Sequence, residues 1–295
     1  MRIAITGGAG FIGKHLVQHI NSMGHQVDVI DNLSTGTLDG LLDLSNVKIK
    51  CLDITIDELP KSSYDVVIHL ASPVSVQESL ENPEKYKLHI LQGSKRVFNW
   101  AKRIGVKRIV AASTAAVYGD SQQLPLSENS KTKVMSPYAQ YKLEMESVLM
   151  GSEYDSINRA ALRFFNVYGE GQNDLGGYVS VVPIFLKQFK SGKRLTVTGD
   201  GQQTRDFVYV KDVCEAIWAA STIDFGQTLI SNVGSGEETK VIEIAKAIGT
   251  KIDFIKARKE PQRSLADIST ARIYLTWKPK TNLLDWLKQH DYVNA

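Results

Sequence analysis

The chain has 295 residues, 43% of them apolar and 23% charged, with a net charge of +3, the composition of an ordinary globular protein long enough to bury a sizeable core. So small a net charge argues for neither a nucleic-acid nor a membrane partner, and no apolar stretch approaches the roughly 20 residues that span a bilayer. The protein therefore reads as cytoplasmic. Its two cysteines, Cys51 and Cys214, lie far apart without metal-ligand spacing and read as buried reduced thiols with no metal site.

Residues 1–5 predict a short buried strand that continues through Thr6-Gly-Gly-Ala-Gly-Phe-Ile-Gly13 into an amphipathic helix over residues 14–23. Strand, glycine turn and helix form the entry unit of a dinucleotide-binding fold. Gly7 suits a tight turn with positive φ, Gly10 leaves the backbone open to a pyrophosphate, and Gly13 lets the helix lie close on the strand; Phe11 and Ile12 share the turn. Phosphates would rest on the helix N-terminus, where unpaired amides and the dipole favour anions. The next apolar run ends at Asp31, eighteen residues past Gly13, where a carboxylate accepts from ribose hydroxyls and repels a 2′-phosphate. That favours NAD over NADP; without a ligand, Asp31 is a solvated strand end.

Asn32 opens a turn-rich loop, and a strand over residues 47–52 ends at Asp53-Ile54, a carboxylate and an apolar contact suited to an adenosine. Residues 64–70 form a nearly continuous apolar run, as in a buried parallel strand, and Leu70, Ala71 and Ser72 keep the backbone thin beside a cofactor. His69 within that run reads as a hydrogen-bonded core histidine. Pro83 opens a predicted helix that reaches about Ile104 and stops at Gly105, apolar enough to be buried on two sides, one by the core and the other by a partner subunit. A strand over residues 107–112 delivers Ser113-Thr-Ala-Ala-Val-Tyr-Gly119 to the sheet edge at which open α/β sheets bind ligands.

After a polar loop, Ser136-Pro137 caps a helix on which Tyr138 and Lys142, four apart, share a face. A strand over residues 157–165 completes the alternation, which predicts a doubly wound parallel sheet, a Rossmann domain over residues 1–165. From Asn166 onward the cues mix: a glycine-rich loop at 169–177, helices at 179–190, 211–220 and 240–248, and strands near 193–201, 205–210 and 228–233. This is read as a smaller C-terminal α/β lobe, residues 166–295, that binds substrate, with segments near 203–232 returning to the first domain.

Tyrosine has a reference pKa of about 10, so service as a base near pH 7 needs a drop of roughly 3 units, about 4 kcal/mol. A lysine ammonium one turn away and a positive nicotinamide ring can supply it. The hydroxyl of Thr114 then suits the oxygen whose proton is exchanged. Taken alone, Tyr138 and Lys142 are a common helix-surface pair; behind an NAD loop they become a catalytic pair.

With these residues in place, the sequence resembles the extended short-chain dehydrogenase/reductase family, and within it the NDP-sugar epimerases, most closely those like UDP-galactose (UDP-glucose) 4-epimerase. The matching stretches are TGGAGFIG at 6–13, DNLSTG at 31–36, HLAS at 69–72, STAAVYG at 113–119, YAQYK at 138–142, RFFNVYG at 163–169, GDGQQTRDFVYVKD at 199–212 and NVGSGEETKVIEIAKAI at 232–248. The resemblance implies transient oxidation at carbon 4 of a nucleotide-activated hexose with tightly held NAD, catalysed by Tyr138, Lys142 and Thr114. It places Phe165 by the cofactor, makes Asn166, Arg205 and Arg258 ligands of the substrate diphosphate, and implies a homodimer through helices near 84–104 and 137–150. Dehydratases of the family carry an acid pair after the threonine and decarboxylases a glutamate at the second position; here these are Ala115 and Ala116. A reductase or dehydratase of the family, or a silent NAD-binding sensor, is the competing reading. Ser264 stands where relatives that bar bulky sugars carry a large side chain, so N-acetylated hexoses are expected to fit.

The chain also departs from the family. His89 replaces an asparagine near the cofactor, Thr198 an aromatic near the base, and the loop at 258–263 is short, so Arg258 or Arg263 could be the phosphate ligand. Leu275-Thr-Trp-Lys-Pro279 has threonine where glycine is usual, which nothing in the sequence explains.

Overall fold

The computed structural model describes residues 1–172, 180–257 and 261–289. Six parallel strands come from the first 164 residues: β1 (Arg2–Thr6), β2 (Gln26–Asp31), β3 (Val47–Cys51), β4 (Val66–His69), β5 (Arg108–Thr114) and β6 (Asn158–Phe164). Between them run α1 (Phe11–Ser22), then α2 (Val76–Glu81), α3 (Pro83–Tyr86) and α4 (Gly93–Arg103), and then α5 (Pro137–Leu149). The rest of the chain adds β7 (Asn166–Tyr168), α6 (Val181–Lys190), β8 (Leu195–Thr198), β9 (Thr204–Tyr209), α7 (Val210–Thr222) and β10 (Thr228–Val233). It ends with β11 (Glu238–Lys240), α8 (Val241–Ile248), β12 (Ile252–Ile255), α9 (Ser269–Tyr274) and α10 (Leu283–Gln289).

The main sheet has the order β10-β6-β5-β4-β1-β2-β3, the doubly wound parallel arrangement expected from the alternation. Strands β1 and β4 are covered on both faces, which is why they read as continuous apolar runs. On one face α1 buries Gly13, Leu16, Val17 and Ile20, one stripe at helical spacing, against Val213 and Ile217 of α7. On the other, Phe98 and Trp100 of α4 meet Met145 and Leu149 of α5.

A three-stranded sheet, β11-β9-β7, and a two-stranded one, β12-β8, make the smaller lobe around Tyr168, Phe185, Ile244 and Trp286. Of the segments near 203–232, α7 and β10 lie with the main sheet and β9 with the lobe. Among the described residues no helix is long and apolar enough to cross a membrane.

Three expectations change. The helix from Pro83 is not uniform: residues Lys87–Gln92 form a π-helical turn between α3 and α4, a widening that an apolar period of 3.6 does not register. Cys51 is exposed, because it ends the edge strand β3, whereas Cys214 is buried in α7, where burial pushes its thiol up to about 12. Thr276 has φ +50°, the left-handed region, just after α9 and its C-cap Leu275. That explains the family's glycine there, since a β-branched residue is strained in this conformation. Thr276→Gly is expected to stabilise the protein by about 1 kcal/mol, the relief of roughly 1–2 kcal/mol of strain less the extra chain entropy of glycine. A urea-denaturation midpoint that does not rise would show an offsetting contact of the threonine.

Candidate active site

Apart from Tyr138 and Lys142, which lie on α5, the candidate residues of the first domain stand at or within one helical turn of the C-terminal end of a parallel strand. Gly7 follows β1 with φ +73°, its amide bonded to the Ile30 carbonyl at 2.8 Å. A Cβ on Gly7 would lie 2.5 Å from the Ala71 nitrogen, so β1 and the segment after β4 touch where the strand order reverses. A Cβ on Gly13 would lie 2.2 Å from the Gly7 oxygen, and only glycine admits this closeness of helix to turn. Gly10 is the N-cap of α1 and offers no side-chain cap, leaving first-turn amides for an anion; a Cβ there would have only the Gly7 oxygen near it, at 3.3 Å. This open cradle fits the pyrophosphate of NAD. Phe11 and Ile12, in the same turn, pack against the core of the smaller lobe.

Asp31 is buried, and its oxygens accept from the Ala9 amide at 3.0 Å and the Leu33 amide at 2.8 Å. It thus clamps the glycine turn to the loop after β2. Asn32 donates to Asp53 at 2.9 Å, joining the ends of β2 and β3. Burial works to raise the Asp53 pKa, but hydrogen bonds from Thr55 and Asn32 outweigh it and hold the carboxyl below its usual range. Ile54 is packed in the core rather than open to solvent. Leu70, Ala71 and Ser72 follow β4 and are half-buried.

His69 is a core histidine. Its ring nitrogens meet the hydroxyls of Thr6 at 2.7 Å and Ser94 at 2.8 Å, its edge rests on Phe98, and burial, with Lys142 adding to it, pushes its pKa down to about 3.

Helix α5 begins as its sequence dictates, with the Ser136 hydroxyl accepting from the Ala139 amide at 3.2 Å and Pro137 in the first turn. Tyr138, 9% exposed, stands at this end with its ring edge-on to Tyr86. Tyr86, which the sequence did not single out, is held by the Ser75 amide at 3.1 Å and donates to Glu78 at 3.0 Å. One turn on from Tyr138, Lys142 donates to the Ala112 carbonyl at 2.8 Å, binding α5 to the end of β5. Burial lowers the Lys142 pKa to about 8, against the opposing pull of Glu146. Thr114 ends β5, and its hydroxyl accepts from the Ala116 amide at 3.1 Å. A phenol, an ammonium and a hydroxyl are thus brought to the edge that carries the glycine cradle.

Phe165 crosses from β6 to β7, its amide bonded to the Val233 carbonyl at 3.0 Å and its ring over Tyr118. In the lobe, Asn166 donates to the Asp206 carbonyl at 2.9 Å, and Arg205, beside it on β9, donates to the Thr204 carbonyl at 2.8 Å. Ser264 accepts from the Asp206 amide at 3.4 Å. Asn166, Arg205 and Ser264 therefore share one patch. Asp206 anchors it by accepting from Ser235, Gly236 and Ala266, though burial still raises its pKa to about 6. Arg263 is committed to a two-pronged pair with Glu238. Arg258 lies outside the described residues. Sequence reasoning also passed over Ser180, the N-cap of α6: its buried hydroxyl has no hydrogen-bond partner among the described residues and does not cap the helix.

The model of the NAD dependent epimerase/dehydratase family matches residues 3–234. The chain belongs to this family. Among its relatives, a putative UDP-glucose 4-epimerase of Methanocaldococcus jannaschii is 34% identical over 97% of this chain and 96% of its own length. A UDP-glucuronic acid decarboxylase 1 of Xenopus tropicalis is 32% identical over 98% of this chain and 70% of its own length. The structure of a UDP-N-acetylglucosamine 4-epimerase from Methanobrevibacter ruminantium, in complex with UDP-N-acetylmuramic acid, superposes with a TM-score of 0.92 at 30% identity, covering 99% of this chain and 96% of that one. The protein is thus an NAD-dependent enzyme of the UDP-sugar epimerase/dehydratase family. Within this family frame, the departures noted in the sequence sit at defined places: His89 in the π-helical turn, and Thr198 at the end of β8, paired with Ile255.

Proposed function

We propose that the protein inverts carbon 4 of a UDP-hexose, either UDP-glucose/UDP-galactose or their N-acetyl forms, without net oxidation. The observation that carries this reading is the convergence of Tyr138, Lys142 and Thr114 on the cradle edge with no carboxylate at Ala115 or Ala116. NAD, when bound, supplies the acceptor and then the donor of a hydride. Gly7, Gly10 and Gly13 with the first turn of α1 hold its pyrophosphate; Asp31 takes a ribose, and Asn32, Asp53 and Ile54 flank the adenosine. Leu70, Ala71, Ser72 and Phe165 flank the rest of the cofactor.

Tyr138 takes the proton of the sugar's 4-hydroxyl and later returns one. Lys142 stabilises the phenolate by its charge, and Thr114 orients the oxygen. Asn166 and Arg205 bind the diphosphate, where an amide donor and a cation suit an anion. Arg258 belongs to the same proposal on the strength of the resemblance.

The decarboxylase relative makes decarboxylation of a UDP-hexuronic acid the second reading. Alanine at 116, in place of the family decarboxylases' glutamate, weighs against it. Purified protein without added cofactor should be incubated with UDP-glucose, UDP-galactose, their N-acetyl counterparts and UDP-glucuronic acid, with products resolved by chromatography. Interconversion of 4-epimers supports the proposal; release of carbon dioxide or no turnover overturns it.

Ser264 lies against β9 beside Arg205, where a larger side chain would narrow the patch. Ser264→Tyr is expected to lower turnover of UDP-N-acetylglucosamine more than tenfold relative to UDP-glucose, about 1.4 kcal/mol of discrimination. Equal activity on both would place the gate elsewhere. The proposed homodimer, through the outer faces of α3, α4 and α5, is checked by sedimentation equilibrium.

A further inference from the structure

Consecutive residues at the end of β5 hold α5 at two successive turns. The Ala112 carbonyl accepts from Lys142, and the next residue, Ser113, donates its hydroxyl to Glu146 Oε1. Thr114 follows directly. Along α5, Tyr138, Lys142 and Glu146 are spaced four apart and form one ladder on the helix. Such a glutamate four residues past a lysine usually lies on a wet helix surface; this one is 2% exposed.

The carboxylate is fixed from β6 by Arg163, with Nε donating to Oε1 at 3.0 Å and Nη2 to Oε2 at 2.7 Å. Arg163 also donates to the Tyr118 hydroxyl at 2.9 Å and the Glu128 carbonyl at 3.2 Å. A fully buried ion pair is weak evidence for stability, since desolvation can cancel the attraction, so its presence here calls for another reason.

We infer that Glu146 is a positioning residue whose buried carboxylate keeps Lys142 an ammonium and, through Ser113, holds the end of β5 that carries Thr114. This rests on the proposed reading of Tyr138 and Lys142 as the proton-transfer pair.

The charged and titratable groups around Lys142 leave this task to Glu146. His69 from β4 is neutral, Tyr138 on the same helix and Tyr86 beside it are phenols, and Tyr118 beyond β5 is engaged with Arg163. Arg163, from β6, is a cation and works against a second one. Glu128 spends its carboxylate on the Asn232 amide and the Thr270 hydroxyl. With burial already drawing the lysine down to about 8, its ammonium is lost as pH rises past that value. Without the carboxylate's charge the loss comes at lower pH.

The test uses the NAD-bound protein with isotope-labelled lysine, the Lys142 resonance being assigned by its absence in Lys142→Met. The Lys142 titration midpoint and the alkaline limb of kcat/KM are measured in wild type, in Glu146→Gln and in Glu146→Gln/Arg163→Met. The double variant removes both charges and so avoids stranding Arg163 should the single variant misfold. Midpoint and limb are both expected to move to lower pH, by roughly one unit in Glu146→Gln and by less in the double variant, where the opposing charge of Arg163 is removed as well. A uniform fall in activity with midpoint and limb unmoved would mean a structural role only and would overturn the inference. A lowered midpoint in a protein that turns over no UDP-hexose would uphold the Lys142–Glu146 coupling and sink the 4-epimerase reading instead.

Discussion

Tyr138→Phe is expected to reduce turnover of a UDP-hexose by roughly 10³-fold while leaving NAD bound and the melting temperature nearly unchanged. The substitution removes one oxygen and keeps the ring, so the edge-on contact with Tyr86 and the burial of the first turn of α5 survive. On the proposed mechanism, what is lost is the group that accepts the proton of the sugar's 4-hydroxyl. Water is a poor substitute in a site where the tyrosine is 9% exposed. Single-turnover measurement on the NAD-bound variant separates this from a binding defect: KM should stay within a few-fold and kcat should carry the loss. Residual activity near wild type would move the base to another group and, with it, the role of Lys142.

The place of Tyr138 in the first turn of α5 was legible because local rules carry it. The glycine turn between β1 and α1, the Ser136-Pro137 start of α5 and the apolar runs of β1 and β4 each follow from backbone sterics, capping or burial of a parallel strand, and all can be read within a dozen residues. Strand β10 was placed at residues 228–233 for the same reason.

Contacts distant in sequence and short elements were not legible. Strands β7, β11 and β12 have three or four residues, too few for alternation to register, and their pairing is set by the lobe they build. The π-helical turn at Lys87–Gln92 hides because one extra residue per turn leaves the apolar composition unchanged. Arg263 reads in the sequence as an alternative phosphate ligand, and its pairing with Glu238, 25 residues away, has no local signal. Glu146 is the clearest case. Its spacing from Lys142 matches an ordinary surface pair, and only the approach of β6 turns it into a buried partner of Arg163.

That burial sets the second large effect. Arg163→Met should destabilise the protein by about 3–5 kcal/mol at neutral pH, since it strips two donors from a buried carboxylate and leaves only the Ser113 hydroxyl on it. Against a total stability of roughly 5–15 kcal/mol, this brings the fold close to its limit. In wild type, burial disfavours the guanidinium's charge, but the hydrogen bonds and charge of Glu146 outweigh it and keep Arg163 cationic. In the variant the stranded Glu146 takes up a proton on folding, so its folded pKa rises above the unfolded one. The native state then binds more protons than the unfolded state between those values, and stability falls as pH rises through them. The deficit relative to wild type should accordingly be smaller at pH 5 than at pH 8, as read from urea denaturation at both. Adding Glu146→Gln to Arg163→Met should recover part of the loss, because an amide costs less to bury than an unpaired carboxylate. If the single variant lost less than about 1 kcal/mol, within the range of exposed pairs, the pair would be no anchor for α5. Tyr138 and Lys142 would then owe their placement to the Ala112 contact and apolar packing alone.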